Sequence, residues 1–167
     1  MTDLDVILRL GAATLIGAAI GLNRDLHGKP IGVRTLGLVG LASAIAVVAV
    51  APGGGEAVHF DATSRVIQGV LTGIGFLGAG VIVRRTVGKQ VHGLTSAACA
   101  WTTACLGLVC GLAAWPIVAT GVVLVFVLLI FGGPFERMCQ RWLARFRREQ
   151  EPEAQAEASA QRSDGQS

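Results

Sequence analysis

One stretch, from Arg65 to Val83, constrains the fold more than any other part of the chain. It reads RVIQGVLTGIGFLGAGVIV, is long and apolar enough to cross a bilayer, and contains the run GIGFLGAG from Gly73 to Gly80. Glycines weaken a helix in water, but in lipid they let neighbouring helices approach until their backbones touch, and Gly69 and Gly73 have the spacing of such a contact. The stretch therefore predicts a central membrane helix with other helices packed against it.

The composition of the whole chain favours a membrane protein. Apolar residues make up 52% of the 167 residues and charged residues 15%, which are too few to cover a soluble domain of this size. The charges cluster between long apolar windows. We therefore predict an all-α, polytopic membrane helix bundle over residues 1–133. The net charge of +3 identifies no partner by itself, and we expect no nucleic acid to bind.

The apolar windows predict about five transmembrane helices. They cover residues 4–22, 34–51, 65–83, 94–112 and a last span that follows Trp115 and Pro116 and ends near Gly133. Lys and Arg cluster in the loops at 23–33 and 84–93 and after Pro134, whereas the other connections have essentially none. The positive-inside rule therefore predicts an external N-terminus and a cytoplasmic C-terminus.

Small residues at helical spacing predict which spans pack together. The first span has Arg9, Gly17 and Gly21 on one face, and the fourth has Gly107 and Gly111 on another. The fifth is rich in large apolar residues and is expected to be peripheral. We therefore predict that spans one, three and four form the tight core, through nine glycines: Gly17, Gly21, Gly69, Gly73, Gly75, Gly78, Gly80, Gly107 and Gly111.

The segment after the last span differs in character. Residues 134–149 place apolar and arginine side chains on separate faces of a helix, which predicts a basic amphipathic cytoplasmic helix on the anionic inner leaflet. A plain basic flank that stops transfer is the alternative. Residues 150–167 lack large apolar side chains and are predicted to be disordered.

Two arginines near the outer ends of spans allow two interpretations. Arg9 and Arg65 each follow an acidic residue by four positions, Asp5 and Asp61. They can form local ion pairs, or they can form a cationic patch at the outer mouth of the bundle. Gln68 continues the Arg65 face inward, either as part of a polar pathway or as an interhelical hydrogen-bonding group.

The sequence favours neither a metal site nor an enzyme. The four cysteines have no paired metal spacing and are interpreted as packing residues, and a site shared by His27, His92 and Asp25 is the weaker hypothesis. No Asp or Glu lies inside a predicted span, which weakens the case for a selective Mg²⁺ pathway. No nucleophile with a base, phosphate-binding loop or dinucleotide motif occurs, so we expect no catalytic residues and no cofactor.

Four ordered motifs resemble the MgtC/SapB family of bacterial inner-membrane proteins. They are IGLNRD at 20–25, GVRTLGLV at 32–39, Arg65 followed by GIGFLGAG at 73–80, and VHGLTSAACAW at 91–101. The resemblance covers residues 4–130 and makes Arg24, Asp25, Arg34 and Thr35 functional candidates. The family pattern differs at two places, since it usually has Glu where this chain has Asn23 and Asp25, and a second Thr where it has Ser96.

The resemblance implies a role in adaptation to low Mg²⁺ and, in pathogens, in survival inside macrophages. Inhibition of the F-type ATP synthase is one mechanism proposed for the family, and Mg²⁺ transport is another. Our leading hypothesis is a non-enzymatic membrane protein that binds a membrane partner, such as ATP synthase. The alternative is a small ion or solute transporter or channel, in either case with homo-oligomerisation left open.

Overall fold

The computed structural model describes residues 1–50, 56–84 and 91–133, together with Met138 and Trp142. Within these ranges the chain forms five helices and one pair of two-residue antiparallel strands. The elements are α1 (Asp3–Leu26), α2 (Val33–Val48), α3 (Glu56–Val81), β1 (Val83–Arg84), β2 (Val91–His92), α4 (Leu94–Gly111) and α5 (Trp115–Gly133). The predicted all-α bundle is confirmed.

Four of the helices are long and apolar enough to cross a membrane. They are α1, residues 61–81 of α3, α4 and α5. The remaining helix, α2, has 16 residues and spans roughly 24 Å, which is shorter than a typical hydrocarbon core. The polytopic architecture therefore follows from length and hydropathy, with α2 as a short member of the bundle.

Two helix boundaries differ from the prediction. Helix α1 continues to Leu26, so residues 23–26 are helical instead of part of a loop. His27 is its C-cap, and the next residue, Gly28, has a left-handed φ of +62° and donates a backbone hydrogen bond of 3.0 Å to the Asp25 carbonyl oxygen. Helix α3 begins at Glu56, so residues 56–64 are also helical. Hydropathy marks where apolar surface ends, whereas capping decides where a helix ends.

The core consists of α1, α2 and α4. Gly17 of α1 meets the backbone of Leu36 in α2, and Gly107 of α4 meets the backbone of Gly40 in α2. Helix α2 runs antiparallel to α1 and parallel to α4, and 56% of the hydrophobic window of α4 is buried. The predicted core of spans one, three and four is therefore wrong, because α2 occupies the place assigned to α3.

Helix α3 lies at the periphery of the unit formed by residues 1–125. Only 6% of its hydrophobic window is buried, and it packs chiefly on α4, where Gly78 approaches the Cβ atom of Ala97. The prediction that the glycine-rich helix is central is thus wrong. Glycines on a helix surface permit close contact with another helix, but they do not show which helix makes that contact.

Helix α5 has the same low burial as α3, as expected for a helix rich in large apolar residues. Within residues 115–125 it packs through buried Val118, and Gly121 lies under the side chain of Leu106. The described residues from 126 onward belong to a second unit. The predicted basic helix at 134–149 and the tail at 150–167 fall outside the described residues, apart from exposed Met138 and Trp142.

Candidate functional site

The last turn of α1 places a buried arginine against the first turn of α4. Arg24 is only 5% exposed, and its Nη2 atom donates a hydrogen bond of 2.9 Å to the Ser96 hydroxyl oxygen. The two residues are 72 positions apart and belong to two different motifs, which meet here because α1 and α4 run antiparallel. The guanidinium Nε atom is buried and has no hydrogen-bond partner within the described ranges.

Arg24 lines a pocket of about 350 Å³ with a mainly polar lining. The α1–α2 loop and the start of α4 supply the other described lining residues: Gly28, Lys29, Pro30, Gly93, Thr95 and Ser96. Gly93 is the N-cap of α4 and has a φ of +95°, and no side chain caps this helix. The first backbone N–H groups of α4 therefore lack a side-chain acceptor next to the pocket.

Asp25 is directed to α2 and not to the pocket. One of its carboxylate oxygens accepts a hydrogen bond of 2.9 Å from the backbone N–H of Val33, the first residue of α2. The carboxylate also lies against Gly32, where a Cβ atom would collide with it. Asp25 therefore caps α2, which joins the IGLNRD motif to the GVRTLGLV motif.

Replacing Asp25 by alanine should destabilise the bundle by about 1 kcal/mol, since the N-terminal N–H of α2 loses its acceptor. Asp25→Asn should restore part of this loss, because an amide oxygen can still accept the Val33 hydrogen bond. The measurement is the free energy of unfolding in mixed micelles, followed by circular dichroism. Asn23→Ala, a change on the same helical turn, is the matched control, and an equal cost for both alanine variants would contradict the capping role.

Arg9 and Arg65 form the two predicted local ion pairs, but their surroundings differ. Arg9 contacts Asp5 at 2.7 Å and also donates a hydrogen bond of 2.8 Å from Nη1 to the carbonyl oxygen of Gly111, at the end of α4. Arg65 contacts Asp61 at 3.0 Å, and both side chains are exposed. Among the described residues, no hydrogen bond or ion pair joins the two arginines to a common residue, and the cationic patch stays a prediction.

Arg34 and Thr35 lie in a different place, at one end of a groove between α2 and α3. The groove has a volume of about 440 Å³ and is lined mainly by apolar side chains, among them Leu38, Ile74 and Leu77. Such a lining suits an apolar chain better than a hydrated ion. The seven functional candidates thus lie in five separate places. Arg24 lines its pocket, Asp25 caps α2, and Arg34 and Thr35 line this groove. Arg9 links Asp5 to the end of α4, and Arg65 and Gln68 lie on the exposed face of α3.

The glycines of α3 differ from those of the core. A Cβ atom added at Gly69, Gly73, Gly75 or Gly80 would meet nothing within 4 Å, and one at Gly78 would meet only Ala97 at 3.8 Å. No described helix covers the first four, so their role in helix packing stays a prediction. Gly17, Gly21, Gly107 and Gly111, in contrast, all lie against neighbouring elements, as predicted.

The described part of the chain contains no group of three or more His, Cys, Asp or Glu side chains that could hold a metal ion. Cys99, Cys105 and Cys110 are free thiols in α4, and the first and last of them are buried. Cys139 and the side chain of His92 fall outside the described residues.

Sequence reasoning missed three features of the Arg24 pocket: Lys29, Gly93 and the bond to Ser96. Gly93 carried the clearest signal, because a glycine directly before an apolar helix can adopt a left-handed conformation. Ser96 gave only a weak signal, as the residue that departs from the family pattern. Its contact with Arg24 depends on which helices pack together, and the sequence did not reveal this.

Helices of this length and hydropathy, packed through glycines and with arginines at their ends, define a multi-pass membrane protein. A model of the MgtC family matches residues 10–138, and the chain belongs to that family. Together, the family and the membrane-spanning helices establish a multi-pass location in the bacterial inner membrane.

Three relatives show how the chain compares with other proteins of the family. It is 42% identical over 143 residues to Protein SrpB of Synechococcus elongatus, covering 81% of this chain and 77% of that protein. It is 38% identical to Protein SapB of Bacillus subtilis, covering 65% and 48%, and 38% identical to the "Putative magnesium transporter YhiD" of Escherichia coli, covering 64% and 51%. The chain thus spans about half the length of the latter two. No solved structure matches it.

Proposed function

We propose that this protein acts in adaptation to low Mg²⁺ and in membrane-energy homeostasis by binding another membrane protein through α3. The name of YhiD refers to magnesium transport, and membership of the MgtC family supports the connection with Mg²⁺. The F-type ATP synthase is the partner that the family resemblance suggests, and a second copy of the chain is the other candidate. The proposed activity is binding, without catalysis.

The outward face of α3 carries this proposal. At 100° per residue, Gly69, Gly73 and Gly80 fall within about 40° of one another on the helix. All three are exposed and meet no neighbour among the described residues, and Phe76 lies between Gly73 and Gly80 along the helix with 84% of its surface exposed. We call these four residues the α3 glycine face; Gln68 lies beside this face, about 100° around the helix from Gly69. Glycine surface of this kind suits close contact with a helix of another protein.

Gln68 makes a partner helix more favourable than lipid alone. It lies about 10 Å along the apolar window that begins at Asp61, by the helical rise per residue. Its side chain is exposed, and its amide forms no hydrogen bond to a residue in the described ranges. An unpaired amide in hydrocarbon is costly, whereas an amide beside a close-packed helix can hydrogen-bond across the interface.

Gly73→Leu tests the proposal. We expect the variant to fold like the wild type, because a side chain at this position meets nothing in the chain and leucine favours a helix over glycine. It should nevertheless lose partner binding at least about tenfold, because leucine separates the two backbones. The measurements are growth at low Mg²⁺ in a strain that depends on this protein, and co-purification of the ATP synthase from its membranes.

Gly11→Leu is the matched control, since Gly11 in α1 also has no neighbour within 4 Å but lies outside the α3 glycine face. It should keep both growth and co-purification. Normal activity of Gly73→Leu, in protein shown to insert and fold, would overturn the proposal. Loss of growth with unchanged recovery of ATP synthase would reject that partner and direct the search to others.

Transport remains the second candidate function, on the strength of the polar Arg24 pocket where α1 ends and α4 begins. Mg²⁺ uptake into proteoliposomes that contain the purified protein, with an imposed membrane potential and empty liposomes as control, distinguishes the two. Saturable uptake that depends on the protein would favour transport. In that case Arg9→Ala or Arg65→Ala should change the rate or ion selectivity if these side chains lie on the pathway.

A further inference from the structure

The Arg24 pocket contains an excess of positive charge. Arg24 is 95% buried, since only 5% of its surface is exposed, and the Ser96 hydroxyl is the one hydrogen-bond partner of its guanidinium among the described residues. No carboxylate lies within ion-pair distance of it in the described ranges. A guanidinium has five N–H donors and is always charged, so burying it with one neutral partner costs several kcal/mol of solvation.

Two further sources of positive potential border the same pocket. Lys29 lines it from the α1–α2 loop, and α4 begins beside it with no side-chain cap. The start of an 18-residue helix carries about half a positive charge and three or four free N–H donors. The nearest carboxylate in sequence, that of Asp25, is hydrogen-bonded to Val33 and is not part of the lining.

We propose that the pocket formed by Arg24, Lys29 and the first turn of α4 binds a phosphate group. A phosphate offers several anionic oxygens to separate donors, which matches a guanidinium, an ammonium and helix N–H groups converging from different sides. A volume of about 350 Å³ falls within the range of small-molecule sites. The phosphate can belong to a lipid headgroup or to a soluble phosphate compound. This inference does not depend on the α3 glycine face.

The test uses the full chain in lipid-free micelles of an uncharged sugar detergent. Thermal unfolding is followed while one of two probes is added: inorganic phosphate or dioctanoyl phosphatidic acid. Dioctanoylglycerol, which lacks the phosphate, and sodium chloride at equal ionic strength are the controls. We expect at least one phosphate probe to raise the unfolding midpoint in a saturable way, since a ligand that binds only the folded state stabilises it.

Two variants identify the site. Lys29→Gln changes an exposed loop residue and should weaken binding about tenfold without altering the unliganded midpoint, as expected for the loss of one charge-assisted contact. Arg24→Met should abolish the shift while keeping or raising the unliganded midpoint, because it removes a buried charge that lacks an acidic partner. Arg34→Gln is the matched control, since it removes an exposed basic residue that does not line this pocket.

The responses to the two phosphate probes identify the source of the phosphate. A shift with phosphatidic acid alone assigns the site to a lipid headgroup, and a shift with inorganic phosphate alone assigns it to a soluble compound. A shift with both means that the phosphate group suffices. The proposal is overturned if neither probe shifts the midpoint, if chloride or dioctanoylglycerol shifts it equally, or if Lys29→Gln and Arg24→Met respond like the wild type.

Discussion

Gly107→Leu is expected to prevent α2 and α4 from packing. A Cβ atom at this position would meet the carbonyl oxygen of Gly40 and lie 2.9 Å from the Cβ atom of Ser43. Overpacking usually costs 1–3 kcal/mol, and the cost should exceed that range here, because the obstacle is helix backbone that cannot rotate away. We expect the cooperative unfolding transition in mixed micelles to be lost or to move by more than about 3 kcal/mol.

Gly69→Leu is the matched control for this change, with the same residue types in a helix of the same protein. Its added side chain meets nothing within 4 Å, so the free energy of unfolding should stay within about 0.5 kcal/mol of the wild type. Gly107→Ala should fall between the two variants. Equal stability of Gly107→Leu and Gly69→Leu would mean that α2 and α4 are not in backbone contact.

Arg9→Met should lower the free energy of unfolding by about 2 kcal/mol. The Arg9 side chain is 15% exposed, and it contacts both Asp5 and the Gly111 carbonyl oxygen, which has no partner within its own helix. Methionine keeps the apolar packing but leaves the carboxylate and the carbonyl without their donor. The expected loss is below the range for a fully buried pair, because Asp5 is 32% exposed.

The chain contains its own control for this measurement. Arg65 and Asp61 repeat the same spacing of four residues, but their side chains are 78% and 67% exposed and contact no other helix. Arg65→Met should therefore cost no more than about 0.5 kcal/mol, as exposed ion pairs do. A similar cost for both methionine variants would show that the bond to Gly111 adds no stability.

The small-residue pattern predicted part of the core and failed for the rest, for one physical reason. Gly17 and Gly107 were found because glycine at helical spacing indicates a close contact. The same pattern is present in α2, where Gly40 and Ala44 are four apart and both are buried, yet the richer glycine run of α3 was favoured. Glycine density measures how closely a neighbour can approach, and it contains no information about which neighbour is present.

The Arg24 pocket was less accessible to sequence reasoning than the core. Hydropathy placed residues 23–33 in a polar loop, where an arginine would be expected to be solvated. The burial of Arg24 follows from two facts of the fold: α1 extends to Leu26, and the start of α4 lies beside the last turn of α1. The i+4 pairs of Arg9 and Arg65, in contrast, are each local to one helix, and the structure contains the ion pairs that one of the two sequence interpretations predicted.

The parallel packing of α2 and α4 has a topological consequence. Helices α2 and α4 lie side by side and point the same way. The chain between them must therefore return along the length of the bundle, as the crossover does in a βαβ unit. Helix α3 makes that return on the outside, without entering the three-helix core. Because the connection must exist but its outer surface carries no core packing, side chains on that surface can change without disturbing the contacts of the three-helix core.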